Sequence, residues 1–239
     1  MRNTLTIAEK ELRAYLGSPM AYISGFVFLL VMGFGFVLFL KNAAVDEVLY
    51  STTMIMVWVL LFVAPALTMH LYAEERRSGT IELLMTYPLQ DWEVVLGKFL
   101  AAFTLFLGMV AITAVVYPTF LVLYGSPDMG IILSSYLGII LIGASYVALG
   151  VLASALTKNQ TVSAIIGIGA LFALMLCYYA GGLDLFGLGK VLAYLSPVEH
   201  FINSFGQGAI NTRDLVYYLT FIFFLLFLSV RVVEIKRWQ

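Results

Sequence analysis

Charge is what this 239-residue chain has least of: 11% of its residues are Asp, Glu, Lys or Arg, against 62% hydrophobic. Soluble domains sit near one half apolar and about one quarter charged, so that class is excluded and an integral membrane protein built as an all-α helical bundle is expected. There is one cysteine, Cys177, set inside an apolar run. It cannot form an internal disulfide, and it reads as a packing residue. The two histidines, His70 and His200, lie far apart and make a poor metal site. No H-E-x-x-H or G-x-S-x-G pattern occurs. Gly189-Lys190 is followed by Val191 without the upstream glycine of a phosphate loop. The chain is therefore not an enzyme by itself, binds no cofactor or metal of its own, and cannot hydrolyse ATP alone. Any energy for work must come from another polypeptide. No nucleic-acid partner is expected. Few ionisable groups fall within the apolar runs, which argues against proton-coupled or ion-coupled transport and against a wide polar channel. The first residues lack a signal peptide's apolar region and cleavage site, so the first apolar run should remain as a span.

What is present is six hydrophobic runs, near 21–40, 53–72, 94–124, 131–156, 162–180 and 215–233, each about long enough for a bilayer core. Pro118 predicts a tilt or kink in the third. Ahead of them, residues 3–16 read as an amphipathic helix with Leu5, Ala8, Leu12, Tyr15 and Leu16 on one face and Thr6, Lys10 and Arg13 on another. Such a helix lies in the headgroup region; a polar leader with a few apolar residues is the plainer alternative. Residues 181–213 are too long for a turn and too apolar for a free loop, and Ser196-Pro197 divides them. Two short helices dipping back into the outer leaflet would satisfy their own backbone; a small extracellular cap is the other reading. Gly138, Gly143, Ala144, Ser145, Gly150 and Ala153 in span four, and Ala164, Gly167 and Gly169 in span five, permit close helix packing. No internal repeat is found, and residues 1–239 read as a single transmembrane domain.

Lys and Arg set the orientation. With both termini inside, ten of them fall on the inner side and three (Lys41, Lys190, Arg213) on the outer, which accounts for all 13. The one dense polar stretch, Glu74-Glu-Arg-Arg-Ser-Gly-Thr-Ile-Glu-Leu-Leu-Met-Thr-Tyr-Pro88, then faces the cytoplasm. Gly79 supplies a hinge, Thr80, Glu82, Leu83, Leu84 and Met85 fall in a short helix, and Pro88 ends it. A surface helix between two spans suits a contact with a soluble motor. Arg76 and Arg77 fit that contact and fit simple positive-inside anchoring equally. Glu93 and Lys98 are expected to reach the interface from a span end. His70 is spaced to pair with Glu74 at i, i+4, and His200 is expected to be structural.

That stretch, with Asp91-Trp-Glu-Val-Val-Leu-Gly-Lys98, resembles the first cytoplasmic loop of ABC-2 type ABC transporter permeases. More narrowly, it is similar to the gliding-motility branch and the related nitrous-oxide-reductase-maturation permeases. Leu195-Ser-Pro-Val-Glu-His-Phe201, Gly208-Ala-Ile-Asn-Thr-Arg-Asp-Leu-Val-Tyr-Tyr-Leu219 and Glu9-Lys-Glu-Leu-Arg-Ala-Tyr-Leu-Gly-Ser-Pro19 agree with it. The resemblance covers nearly the whole chain. It implies a six-span, type V exporter-like bundle, with an interfacial helix over 1–19, a coupling loop over 73–91 and a re-entrant outer segment over 181–213. It also implies a second permease subunit, two ATPase subunits that bind ATP and Mg²⁺, and a bacterial inner membrane. Carried over to this sequence, the ATPase-coupling set is Glu74, Glu75, Arg76, Arg77, Gly79, Thr80, Glu82, Leu83, Leu84, Met85 and Pro88. Lys158, Asn159 and Gln160 form a second cytoplasmic contact, and Pro197, His200 and Phe201 mark the outer segment. Export of an unidentified substrate is the expected function. The alternative from the same family is mechanotransmission or assembly, passing ATP-driven motion to a periplasmic accessory protein. An ATP-independent scaffold or channel is the third reading.

Overall fold

The computed structural model describes residues 2–42, 44–77, 90–182 and 187–237. Among them there are ten α-helices and no strand: α1 (Arg2–Gly17), α2 (Pro19–Asn42), α3 (Val45–Thr68), α4 (His70–Arg77), α5 (Asp91–Tyr124), α6 (Met129–Leu156), α7 (Gln160–Gly182), α8 (Gly189–Leu195), α9 (Pro197–Ile202) and α10 (Thr212–Arg237). Six segments are long and apolar enough to cross a membrane: Pro19–Lys41, Glu47–Ala73, Asp91–Tyr124, Met129–Leu156, Gln160–Gly182 and Thr212–Lys236. They coincide with the six runs read from the sequence to within a few residues at most ends. A helix is the fold that satisfies every backbone group locally where no water is available.

Turn chemistry sets several ends. Gln90 and Glu93 form a reciprocal capping box at the start of α5. Asp128 accepts from the Gly130 amide at 2.7 Å and starts α6. Ser196 accepts from the Val198 amide and Pro197 opens α9, so the Ser-Pro pair separates α8 from α9. α5 continues helical through Pro118.

α6 is the central post. Of its most apolar stretch 83% is buried, against 22% for α2 and α7. Between apolar helices in lipid, close contact replaces the hydrophobic drive of soluble proteins. The span-four glycines provide it. A Cβ on Gly143 would lie 2.1 Å from the Phe106 ring, one on Gly150 2.1 Å from Thr68 Oγ1, and one on Gly138 2.5 Å from Phe205. Gly167 meets Pro65, whereas Gly169 has nothing near it and does not serve packing within the chain.

α1 is helical as expected, but its packed face is rotated. Thr4, Ile7 and Tyr15 are buried, with Ile7 against Gly97 of α5, while Leu5 and Leu16 are exposed. The sequence grouped Tyr15 with Leu5 and Leu16. Tyr15 turns inward because its hydroxyl finds a carbonyl partner, described below, and the leucines are left for lipid.

Candidate functional site

The second span does not stop at Tyr72. α3 ends at Thr68, Met69 forms a turn, and α4 carries the chain on to Arg77, directly before the remainder of the polar stretch. Pro65 lies inside α3 and removes one ladder donor. Thr68 Oγ1 turns back to Ala64 O at 2.9 Å, and Met69 N–H bonds to Pro65 O at 2.9 Å. Side chains from other spans bond to the backbone at and just after the break. Ser154 of α6 donates to Met69 O at 3.1 Å and accepts from Tyr72 N–H at 3.1 Å. Lys98 of α5 donates to Leu71 O at 2.7 Å. A break braced by side chains of neighbouring helices is a joint with a defined angle, rather than a slack hinge.

Lys98 is the core of this seat. It is fully buried, its Nζ lies 3.0 Å from Glu11 Oε1 of α1, and it sits 5.1 Å from the Tyr72 ring centroid. An ammonium without exposure has to be paired, and here the pairing joins α1, α4 and α5 at one atom. Tyr15 of α1 donates to Leu67 O at 2.6 Å, and its ring meets His70 edge-on at 4.7 Å. Burial and the Glu11 carboxylate both push the Tyr15 phenol well up, so it remains a donor. Asn3 donates to the buried Glu93 at 3.1 Å. Lys236, near the end of α10, donates to Ala155 O at 3.0 Å and Leu156 O at 2.7 Å, capping α6. Both ends of the chain therefore meet at the same end of the bundle.

The sequence placed Glu93 and Lys98 at the interface; the structure buries both instead. α1 lies across this end of α5 and covers them, so they turn inward to Asn3 and Glu11. Of the assigned coupling set, Glu74, Glu75, Arg76 and Arg77 are in α4 or at its end, with side chains outside the described residues. Gly79, Thr80, Glu82, Leu83, Leu84, Met85 and Pro88 lie outside the described residues altogether, as does any His70–Glu74 pair. Lys158 and Asn159 are exposed in the short link between α6 and α7, and Gln160 begins α7. Asn159 caps α7 by accepting from Thr161 N–H at 2.9 Å. This link adjoins the Ala155 and Leu156 carbonyls held by Lys236, so it belongs to the same end as the seat. From the sequence Lys98 reads only as interfacial and Tyr15 only as part of an apolar helix face, and Ser154 and Glu11 are given no role of their own. Pro65 was the available signal, since a proline inside a span marks where its helix is interrupted.

At the opposite end, His200 is buried. Its Nδ1 lies 2.7 Å from Asp214 Oδ1, its Nε2 lies 3.0 Å from Tyr194 O, and its ring stacks on Tyr217 at 3.8 Å. Tyr218 donates to Pro197 O. Phe201 is fully buried and, with Phe205, packs on Gly138 of α6. Pro197, His200 and Phe201 thus tie α9 to α6 and α10. Among the described residues there is no group of three His, Cys, Asp or Glu that could hold a metal.

Six spans on a central small-residue helix define a polytopic membrane protein. The family model of the ABC-2 family transporter proteins matches residues 5–233. The chain belongs to that family, whose members are the membrane-spanning permease subunits of ABC transporters and work with ABC ATPase subunits and as dimers. A comparison with curated proteins finds no match.

Proposed function

We propose that this permease couples ATP hydrolysis by two separate ATPase subunits to export of a substrate, through the polar stretch 74–88. The observation that carries this is the Lys98 clamp, which joins the Leu71 carbonyl at the root of α4 to Glu11 of α1. A force on the loop enters α4. Because Ser154 and Lys98 hold the break, α4 cannot swing without carrying α1, α5 and α6 with it. ATP-driven closure of the ATPases would thus rock the whole bundle against a second permease subunit and open a path to lipid or to the outer side. The inner-membrane orientation with both termini cytoplasmic rests on the ten-to-three distribution of Lys and Arg. The narrower likeness to gliding-motility-type permeases rests on the quoted motifs.

The test is charge reversal of Arg76 and Arg77 to Glu in the assembled transporter. Coupled transport should be lost while the amount of folded permease is unchanged. Wild-type transport in that variant would refute the coupling role. A stably bound periplasmic protein in the wild-type complex, with no substrate movement in vesicles, would replace export by mechanotransmission.

A further inference from the structure

The end of the bundle opposite the termini contains an open cavity of about 670 Å³. α7 ends in Gly181-Gly182, and a Cβ on Gly181 would lie 2.6 Å from Ala193 and 2.8 Å from the Gly189 carbonyl, so α8 rests directly on the end of α7. Around that contact Tyr178 and Tyr179 of α7, Lys190 and Tyr194 of α8, Glu199 of α9 and Arg213 of α10 face one space. Four helices contribute, so the cavity is a product of the fold and not of one loop.

Among the described residues its charge is unbalanced. The Arg213 guanidinium lies 4.8 Å from the Tyr194 ring centroid and makes no ion pair among the described residues. Lys190 is exposed and likewise has no ion-pair partner among them. At the terminal end, by contrast, Lys98 and Lys236 are both engaged. Two cations without an ion-pair partner among the described residues line one cavity and attract a group with paired anionic oxygens, and phosphate is the anion that arginine and lysine bind best together. A third charge narrows the choice. Glu199 lines the same cavity, with Oε1 accepting from Asn203 at 2.7 Å. A carboxylate there disfavours a polyanion, and with Tyr178 and Tyr179 lining the same space it favours a ligand that carries an amine beside its phosphate. The location is the remaining clue. The cavity lies where α7 ends and α10 begins, at the boundary of the spans, and exposed Leu188, just before α8, and Val191 and Leu195 on it flank the opening. Headgroups lie at that depth, and the exposed leucines and valine offer a surface for acyl chains.

We propose that this cavity binds the headgroup of an amine-bearing phospholipid of the phosphatidylethanolamine type. Lys190 and Arg213 hold the phosphate, and Glu199 takes the ammonium. This rests only on the six spans and is independent of the coupling role above.

The test uses the purified full chain in mild detergent, with native mass spectrometry of retained lipid after addition of phosphatidylethanolamine, phosphatidylglycerol or diacylglycerol. Phosphatidylethanolamine should be retained over diacylglycerol by about tenfold or more, the scale of charge-assisted contacts. Lys190→Gln with Arg213→Gln should abolish that preference, and Lys190→Arg with Arg213→Lys should keep most of it. Glu199→Gln should erase the preference for phosphatidylethanolamine over phosphatidylglycerol and leave phosphate-dependent binding in place. All these side chains line an open cavity, so each variant should melt with the wild type. Equal retention of diacylglycerol, or undiminished phosphatidylethanolamine in the double Gln variant, would overturn the assignment. Displacement of the lipid by micromolar inorganic phosphate would overturn it in favour of a free-phosphate site.

Discussion

Replacing Lys98 by Met keeps the length and bulk of the stem and removes the charge. Three groups then lose a partner: the Glu11 carboxylate at 3.0 Å, the Leu71 carbonyl at 2.7 Å, and the Tyr72 ring face. Removing one member of a buried ion pair costs about 3–5 kcal/mol, because the other charge stays behind uncompensated. Glu11 keeps 13% of its side chain exposed and has Lys10 at 3.9 Å, so the lower end applies, about 3 kcal/mol. For a chain of this size that is a fall in Tm of roughly 6–12 °C. The assay is thermal unfolding of the detergent-purified chain, followed by dye binding or size exclusion. The double variant Lys98→Met, Glu11→Met removes both charges and should recover much of the loss, with a coupling energy of about 1–3 kcal/mol in the cycle. A fall of less than about 2 °C for Lys98→Met would refute the clamp. So would a double variant as unstable as the sum of the two singles.

Three further outcomes follow from the same contacts. Ser154→Ala leaves Met69 O and Tyr72 N–H without their bridge, and should cost about 1–3 kcal/mol and speed hydrogen exchange at the Tyr72 amide; unchanged exchange there would mean the break is held by other means. Gly143→Ala drives a methyl into the Phe106 ring and should destabilise by about 1–3 kcal/mol, with Phe106→Leu restoring much of it in the same melting assay. His200→Phe retains a ring to stack on Tyr217 but gives up the bonds to Asp214 and Tyr194 O, so Tm should fall while nucleotide hydrolysis by the assembled complex is spared; an unchanged Tm would show that the pair contributes nothing to the cap.

Much of the architecture is written in composition. Twenty-residue apolar runs have one fold available in lipid, and the glycines of span four announce the helix that others crowd against. What was not legible depends on which neighbour covers which face. Lys98 and Glu93 look like interfacial residues because they begin a span, and nothing local says that α1 lies over them. Tyr15 lies between two faces of α1 in the periodicity, and the Leu67 carbonyl, 52 positions away, decides between them. Ser154 reads as one more small residue of a packing stripe until the break at Met69 gives its hydroxyl two backbone partners. Lys190 and Arg213 were counted only as outer charges, and the cavity that unites them exists because Gly181 lets α8 rest on α7.

The most direct test of the coupling role is gentle detergent purification of the tagged chain from its native membrane. Bound proteins would be identified by mass spectrometry and nucleotide hydrolysis measured on the complex. The clamp and the charged loop predict a stoichiometric ABC ATPase with vanadate-sensitive turnover, and loss of that subunit or of its stimulation in the Arg76→Glu, Arg77→Glu variant. A permease dimer free of any ATPase and without hydrolysis, repeated across several mild detergents, would contradict it.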